Sequence, residues 1–107
     1  MTKPFSQACE NNKQPIFEIV NRAFVNKKKI LEIGSGTGQH AIFFAKNLPF
    51  LTWHTSDLPI NHAGINQWID DFPSPNIKRP IVIDLASEPL LPNDIDAIFY
   101  YQLATSP

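Results

Sequence analysis

The feature that most constrains the fold is a glycine-rich turn between a short apolar segment and an amphipathic one. Residues 29–33 are rich in branched side chains and run directly into the turn at residues 34–38, which contains three glycines. Apolar residues recur at helical spacing from Gln39 onward. The pattern predicts a strand, a sharp turn and a helix. In an open α/β sheet such a turn lies where ligands bind, beyond the carboxyl ends of the strands.

The rest of the chain alternates between helical and extended patterns. We predict further strands over residues 50–57, 81–85 and 95–101, and helices that begin near Pro15, Gln39 and Asn61. The first helix is expected to present one apolar face, made by Ile16, Ile19, Val20, Ala23 and Phe24. The third is expected to bury Ile65, Trp68, Ile69 and Phe72. The strand over 81–85 has a continuous rather than an alternating apolar pattern that includes Asp84, as expected where both faces of a parallel sheet are covered,. This alternation predicts a Rossmann-like, doubly wound α/β fold with a mostly parallel sheet.

The composition fits a single small globular domain over residues 1–107. Hydrophobic residues make up 43% of the chain and charged residues 18%,. Nine basic and ten acidic residues give a net charge of −1, so bulk charge indicates neither a nucleic-acid partner nor an anionic membrane. No stretch reaches the ~20 apolar residues needed to cross a bilayer. Cys9 is the sole cysteine and cannot form an intramolecular disulfide, so a cytoplasmic location is the default expectation.

The glycine turn predicts a site for a cofactor with an anionic group. The glycines remove side chains that would keep a ligand from the backbone, and the following helix directs its unpaired amides toward the turn. A dinucleotide fingerprint requires a small residue where Gln39 stands, and a phosphate-binding loop requires a lysine that is absent. A hydrolase nucleophile would stand at position 36, which is glycine. A fragment of an oxidoreductase that binds NAD or another nucleotide stays open as an alternative.

Residues 31–38, Leu-Glu-Ile-Gly-Ser-Gly-Thr-Gly, resemble the first motif of class I S-adenosylmethionine-dependent methyltransferases. Together with residues 8–16 and the following Gln39 and His40, they are similar to a small uncharacterised methyltransferase-like family known as a domain of unknown function. The resemblance covers the chain to about Phe99. One departure is Asn11, where that family commonly has an arginine. The resemblance implies a seven-stranded sheet, so we expect this chain to be an incomplete domain, truncated after its fourth strand by a frameshift or by trimming.

The resemblance also implies an S-adenosylmethionine site. Glu32 would face the positively charged methionine end, and the three glycines would let the cofactor lie against the backbone. Asp57 would accept the ribose hydroxyls, and Asp84 would take the adenine amino group beside the Leu85 amide. The full set of expected cofactor-binding residues is Glu32, Gly34, Ser35, Gly36, Gly38, Asp57, Asp84 and Leu85. The methyl acceptor is expected to be a small molecule or is of unknown class. No catalytic residue is identified, because methyl transfer depends mainly on the alignment of the acceptor with the methyl group.

These residues also have structural interpretations. Glu32 could be a strand-end charge, but an acid within an apolar strand is costly without a partner, which favours a functional role. Asp57 could instead cap the next turn. His40, His54 and His62 fall on different predicted elements, so no metal site is predicted.

Two further expectations concern the activity of the chain and its self-association. A non-catalytic interaction module that retains the fold is the alternative to an enzyme, and cofactor binding without turnover would point to it. The apolar fourth strand would form an open edge of a parallel sheet. Such an edge predicts self-association of the chain.

Overall fold

The computed structural model describes residues 3–84, 86–87 and 91–101. This part of the chain forms three α-helices, a short 3₁₀ turn at Pro59–Asn61 and four strands. Their bounds are α1 (Gln7–Ala23), β1 (Lys29–Ile33), α2 (Gln39–Asn47), β2 (Thr52–Asp57), α3 (His62–Asp71), β3 (Ile77–Val82) and β4 (Ala97–Tyr100). The strand order is β3-β2-β1-β4, and every neighbouring pair is parallel. The predicted Rossmann-like α/β fold is confirmed.

The helices pack on one face of the sheet. In register, Ile30 of β1 lies between Trp53 of β2 and Ala97 of β4. The ring centroid of Phe44 in α2 lies 5.5 Å from that of Trp53 and 5.8 Å from that of Phe99. All three helices contribute to the buried cluster of Val20, Ile30, Ala41, Phe44, Ala45, Leu48, Leu51, Trp53, Ile65, Ile69 and Ile77. No helix in the described ranges is long and apolar enough to cross a membrane.

Helix α1 begins well before the start predicted at Pro15. Ser6 is its N-cap, and the Ser6 side chain accepts a 3.2 Å hydrogen bond from the amide of Cys9. Since this cap satisfies an otherwise unpaired amide, the polar stretch before Pro15 is helical and the proline lies inside the helix,. The predicted apolar face is only partly formed, because Val20 is buried whereas Ile19 is 59% exposed.

Strand β3 also lies earlier than the predicted segment 81–85. It spans Ile77–Val82 and contains Pro80, which cannot donate to a ladder,. The proline is tolerated because β3 is an edge strand of the described sheet and pairs with β2 alone,. The expectation that this strand is covered on both faces is wrong, since Val82 is 55% exposed.

The remaining elements agree closely with the predictions. Helix α3 follows Asn61 as predicted and buries Ile65, Trp68 and Ile69. Phe72, which was expected to be buried with them, is the C-cap residue and is 47% exposed. Strands β2 and β4 are each shorter than their predicted segments.

Candidate cofactor-binding site

A cavity of about 440 Å³ opens where the strands end. It is lined by Gly34 after β1, by Asp57 at the end of β2 and by Asp84 after β3. These three residues were predicted separately from the sequence, and the parallel sheet brings them together because its carboxyl ends share one edge. The volume falls within the range of small-molecule pockets.

The three glycines of the turn all have positive φ angles. The angles are +70° at Gly34, +61° at Gly36 and +94° at Gly38, a region that favours glycine. A Cβ atom added at Gly34 or Gly36 would meet nothing within 4 Å, whereas one at Gly38 would lie 3.2 Å from the Cα of Ile65. The first two glycines therefore leave the backbone open on one side, and the third permits close packing of α3.

Asp57 holds the glycine turn and the following 3₁₀ turn in place. Its Oδ2 accepts a 2.8 Å hydrogen bond from the amide of Gly36. Its Oδ1 accepts from the amide of Leu58 at 2.7 Å and from Nδ2 of Asn61 at 3.0 Å. A carboxylate offers about four acceptor directions, so these three donors leave room for a further donor at Oδ2. The structural role of Asp57 and the predicted ligand role are therefore compatible.

Glu32 lies on the helix-covered face rather than in the cavity wall. It pairs in register with Phe99 and is 3% exposed, and its Oε1 accepts a 3.3 Å hydrogen bond from Nε1 of Trp53. Burial raises the pKa of Glu32 to about 7, although hydrogen bonds from Ser35 and Trp53 oppose this. The contact between Glu32 and a cofactor stays a prediction.

Ser35 joins the ends of β1 and β2 instead of lining the cavity. The side chain is buried, its amide donates to the carbonyl of Ser56 at 2.7 Å, and its Oγ accepts from the amide of Ser56 at 3.1 Å. The Ser56 hydroxyl in turn donates to the carbonyl of Glu32. This double connection fixes the turn against the neighbouring strand.

Asp84 lies two residues past β3 and lines the cavity. Its Oδ1 accepts a 2.9 Å hydrogen bond from the amide of Ala86, and the side chain is exposed. Leu85, the other residue expected beside an adenine ring, lies outside the described residues.

Two tyrosines that the sequence interpretation did not assign to the site also line the cavity. Tyr100 and Tyr101 follow one another at the end of β4. The Tyr101 hydroxyl accepts a 3.3 Å hydrogen bond from Nδ2 of Asn12, and its ring centroid is 5.5 Å from that of His40. Helices α1 and α2 thus contact the cavity rim through Tyr101. The rule that sites lie beyond strand ends was the available signal for both tyrosines.

The buried side chain of Gln39 connects the starts of α1 and α2. Its Oε1 accepts a 2.6 Å hydrogen bond from the amide of Ser6, and its Nε2 donates to Glu10 at 2.9 Å. Only 2% of Gln39 is exposed. The residue that breaks the dinucleotide fingerprint is therefore one that the helix packing uses.

The three histidines lie on different elements. His40 is in α2, His54 is in β2 and His62 begins α3. Burial lowers the pKa of His40, and burial together with Lys29 and Lys78 lowers the pKa of His54. Among the residues that the structure describes, no three His, Cys, Asp or Glu side chains are grouped so that they could hold a metal ion.

Residues 3–103 match the family described as "Protein of unknown function (DUF938)". Among solved structures, the fold is similar to the apo form of SibL, an S-adenosylmethionine-dependent methyltransferase, with a TM-score of 0.74 and 16% identity. That match covers 86% of this chain and 26% of SibL.

Two further structures with similar folds were solved with ligands. CalS10, an amino pentose methyltransferase from Micromonospora echinaspora with bound S-adenosylmethionine, has a TM-score of 0.63 and 19% identity over 98% of this chain and 48% of its own. PKMT2 from Rickettsia typhi, in complex with AdoHcy, has a TM-score of 0.56 and 22% identity over 68% of this chain and 14% of its own. The present chain thus spans less than half of each of these proteins. At these identities the likeness shows a shared methyltransferase-like fold.

Proposed function

The chain belongs to the DUF938 family of proteins of unknown function, and from this premise we propose that it binds S-adenosylmethionine as the cofactor-binding part of a methyltransferase. The observation that carries the proposal is the cavity in which Gly34, Asp57 and Asp84 converge. The fold shared with S-adenosylmethionine-bound CalS10 supports it.

The residues of the cavity fit the chemistry of this cofactor. Asp57 has acceptor capacity at Oδ2 for a ribose hydroxyl, while its other bonds keep the carboxylate in place. The open side of Gly34 admits a ligand close to the backbone. Asp84, which also lines the cavity, supplies an acceptor for an amino group. When bound, S-adenosylmethionine supplies a methyl group already activated on a sulfonium, so the protein has mainly to orient cofactor and acceptor.

Glu32 completes the proposal as a buried acid near the turn. The cationic methionine end of the cofactor would favour the ionised carboxylate, against the burial that raises the pKa of Glu32 to about 7,. Because Glu32 does not line the cavity, the cofactor would act on it through the buried turn, and a proton released from Glu32 on binding near neutral pH would reveal that effect. Calorimetry in two buffers of different ionisation enthalpy measures this release directly.

The proposal is tested by titrating the chain with S-adenosylmethionine, S-adenosylhomocysteine and NAD in a calorimeter. We expect the first two to bind and NAD not to bind. Asp57→Ala should weaken binding by at least roughly tenfold to a hundredfold, because it removes both the acceptor for the ligand and the bond that shapes the glycine turn,. Asp70→Ala is the matched control, because Asp70 lies outside the cavity and pairs with Arg79. A folded chain that binds none of the three ligands, or an Asp57→Ala variant with unchanged affinity, would contradict the assignment.

A further inference from the structure

The face of helix α2 that points away from the sheet carries apolar side chains. The side toward the sheet is formed by the buried residues Ala41, Phe44, Ala45 and Leu48. Helical spacing places a second set of residues on the opposite side, Gln39, Ile42, Phe43 and Lys46,. A helix that covers a sheet usually has polar residues on this outer side. Ile42 and Phe43 depart from that pattern, and both are only half-buried.

This outer face of α2 lines a second cavity, of about 560 Å³, between the three helices. Helix α1 contributes Glu10 and Lys13 to its wall, α3 contributes Trp68, and Phe5 lines it from the segment before α1. The volume falls within the range of small-molecule pockets. The second cavity shares no lining residue with the cofactor cavity, so a ligand here is independent of the proposed cofactor.

Aromatic rings dominate the apolar part of the second cavity. Phe5 is 59% exposed, and Phe72, which the sequence pattern placed in the core, is 47% exposed. The Phe72 ring stacks on that of Trp68, with centroids 5.7 Å apart and planes at 18°. Exposed apolar side chains that are grouped and bordered by charges mark binding sites. Because aromatic rings favour stacked and edge-to-face contacts with one another, the cavity suits a ligand with an aromatic body.

Among the described residues that line this cavity, one positive charge lacks a counter-charge. The Glu10 carboxylate accepts from Nζ of Lys13 at 2.8 Å and from Nε2 of Gln39 at 2.9 Å, so the charges of Glu10 and Lys13 offset each other. Lys46 also lines the cavity, and it forms no ion pair within the described part of the chain. A ligand with one negative charge would meet this ammonium, whereas a cationic ligand would have to displace Lys13 from Glu10.

We propose that the second cavity binds an aromatic carboxylate. The ring of the ligand lies against Phe5, Phe43 and Phe72, and its carboxylate pairs with the ammonium of Lys46. A single ammonium matches the single charge of a carboxylate. The concave shape favours a small molecule over the flat surface of a folded protein,.

Two probes of nearly equal shape test the ligand class, naphthoate and its neutral counterpart naphthamide. Both are titrated into the labelled full chain while the backbone amides are followed by two-dimensional NMR. We expect naphthoate to shift the amide signals of Ile42, Phe43 and Lys46, with a dissociation constant of roughly millimolar for a ligand of this size. Naphthamide should shift the same signals but bind roughly threefold to tenfold more weakly, because it lacks the charge.

Variants separate the charge from the apolar contact. Lys46→Met removes the ammonium and keeps an apolar stem, so it should lower the affinity for naphthoate to that for naphthamide and leave the affinity for naphthamide unchanged. Lys28→Met is the matched control, because Lys28 is also exposed and lies outside the cavity. It should change neither affinity. Phe5→Ala should weaken the binding of both probes, because it removes one ring of the wall.

The amide spectrum of each variant shows whether it is folded, and the two lysine variants decide the question if Phe5→Ala is not. Equal affinity of the wild-type chain for naphthoate and naphthamide would overturn the proposal. So would equal effects of Lys46→Met and Lys28→Met, or signal changes confined to Gly34 and Asp57 in the cofactor cavity. A folded chain that binds neither probe would also overturn it and leave the second cavity to an acidic segment of another protein.

Discussion

The amide of Gly36 donates a 2.8 Å hydrogen bond to Oδ2 of Asp57, which joins the glycine turn after β1 to the end of β2. These residues lie 21 positions apart in the chain. The parallel pairing of β1 with β2 brings them together. The same carboxylate that lines the cavity thus determines the shape of the turn beneath it, and a substitution at Asp57 affects both.

Asp57→Asn should destabilise the fold even without a ligand. The carboxylate accepts from three donors, and an amide nitrogen in place of either oxygen would face a donor. We expect a loss of about 1–3 kcal/mol in the free energy of unfolding, measured by urea denaturation. Asp71→Asn, at an exposed acid paired with Lys3, should change it by less than about 0.5 kcal/mol. Equal effects of the two substitutions would contradict this role of the Gly36–Asp57 bond.

Gly38→Ala should destabilise the chain more than Gly36→Ala. Both residues have positive φ angles, for which a side chain costs about 1–2 kcal/mol,. Only at Gly38 would the new Cβ lie 3.2 Å from the Cα of Ile65, a backbone atom that cannot easily move. We expect roughly 1 kcal/mol for Gly36→Ala and at least about twice that for Gly38→Ala in chemical denaturation. Similar losses would mean that α3 moves away without cost.

Local patterns in the sequence predicted most of the fold. Strand β1, the glycine turn and helix α2 have strong local signals, because branched residues, glycines and helical spacing each act over a few positions. The errors occurred where distant contacts decide the structure. The start of β3 at Ile77 was missed, because a strand that contains Pro80 is tolerated only at an edge, and that place depends on the order of the whole sheet,. The early start of α1 depends on Ser6, whose cap precedes a stretch too polar to indicate a helix.

The site could be predicted in part for the same reason. Asp57 ends a strand and Gly34 and Asp84 follow one, and a parallel sheet brings strand ends together,. The position of Glu32 on the helix-covered face follows only from the register with β4. The bond between Tyr101 and Asn12 joins residues 89 positions apart, and no local pattern predicts it.

Glu32→Gln should change how stability depends on pH. Folding raises the pKa of Glu32 from 4.5 to about 7, chiefly through burial. The stability that the protonated group contributes is therefore complete below about pH 4.5 and is lost as the pH rises through about 7. Above about pH 8, the neutral glutamine variant should be more stable than wild type by up to roughly 3 kcal/mol. Urea denaturation at several pH values measures the difference.

The control for this experiment is Glu18→Gln, at an exposed position of α1. This control shows whether the loss of any glutamate from the chain produces the effect. A Glu32→Gln variant whose difference from wild type varies with pH no more than that of Glu18→Gln would mean that Glu32 stays ionised in the fold. Glutamine retains an oxygen that can accept from Nε1 of Trp53, so a lost hydrogen bond would not explain such a result.

Gln39→Leu should release the start of α1 from α2. Leucine has a similar size, but it leaves the amide of Ser6 without the 2.6 Å bond and Glu10 without the donor at 2.9 Å. Because Gln39 is buried, we expect a loss of about 2–3 kcal/mol in the free energy of unfolding and faster amide exchange in the first turns of α1. Gln14→Leu, at an exposed position of the same helix, should produce neither effect. Unchanged exchange in Gln39→Leu would show that the apolar face of α1 alone holds the helix in place.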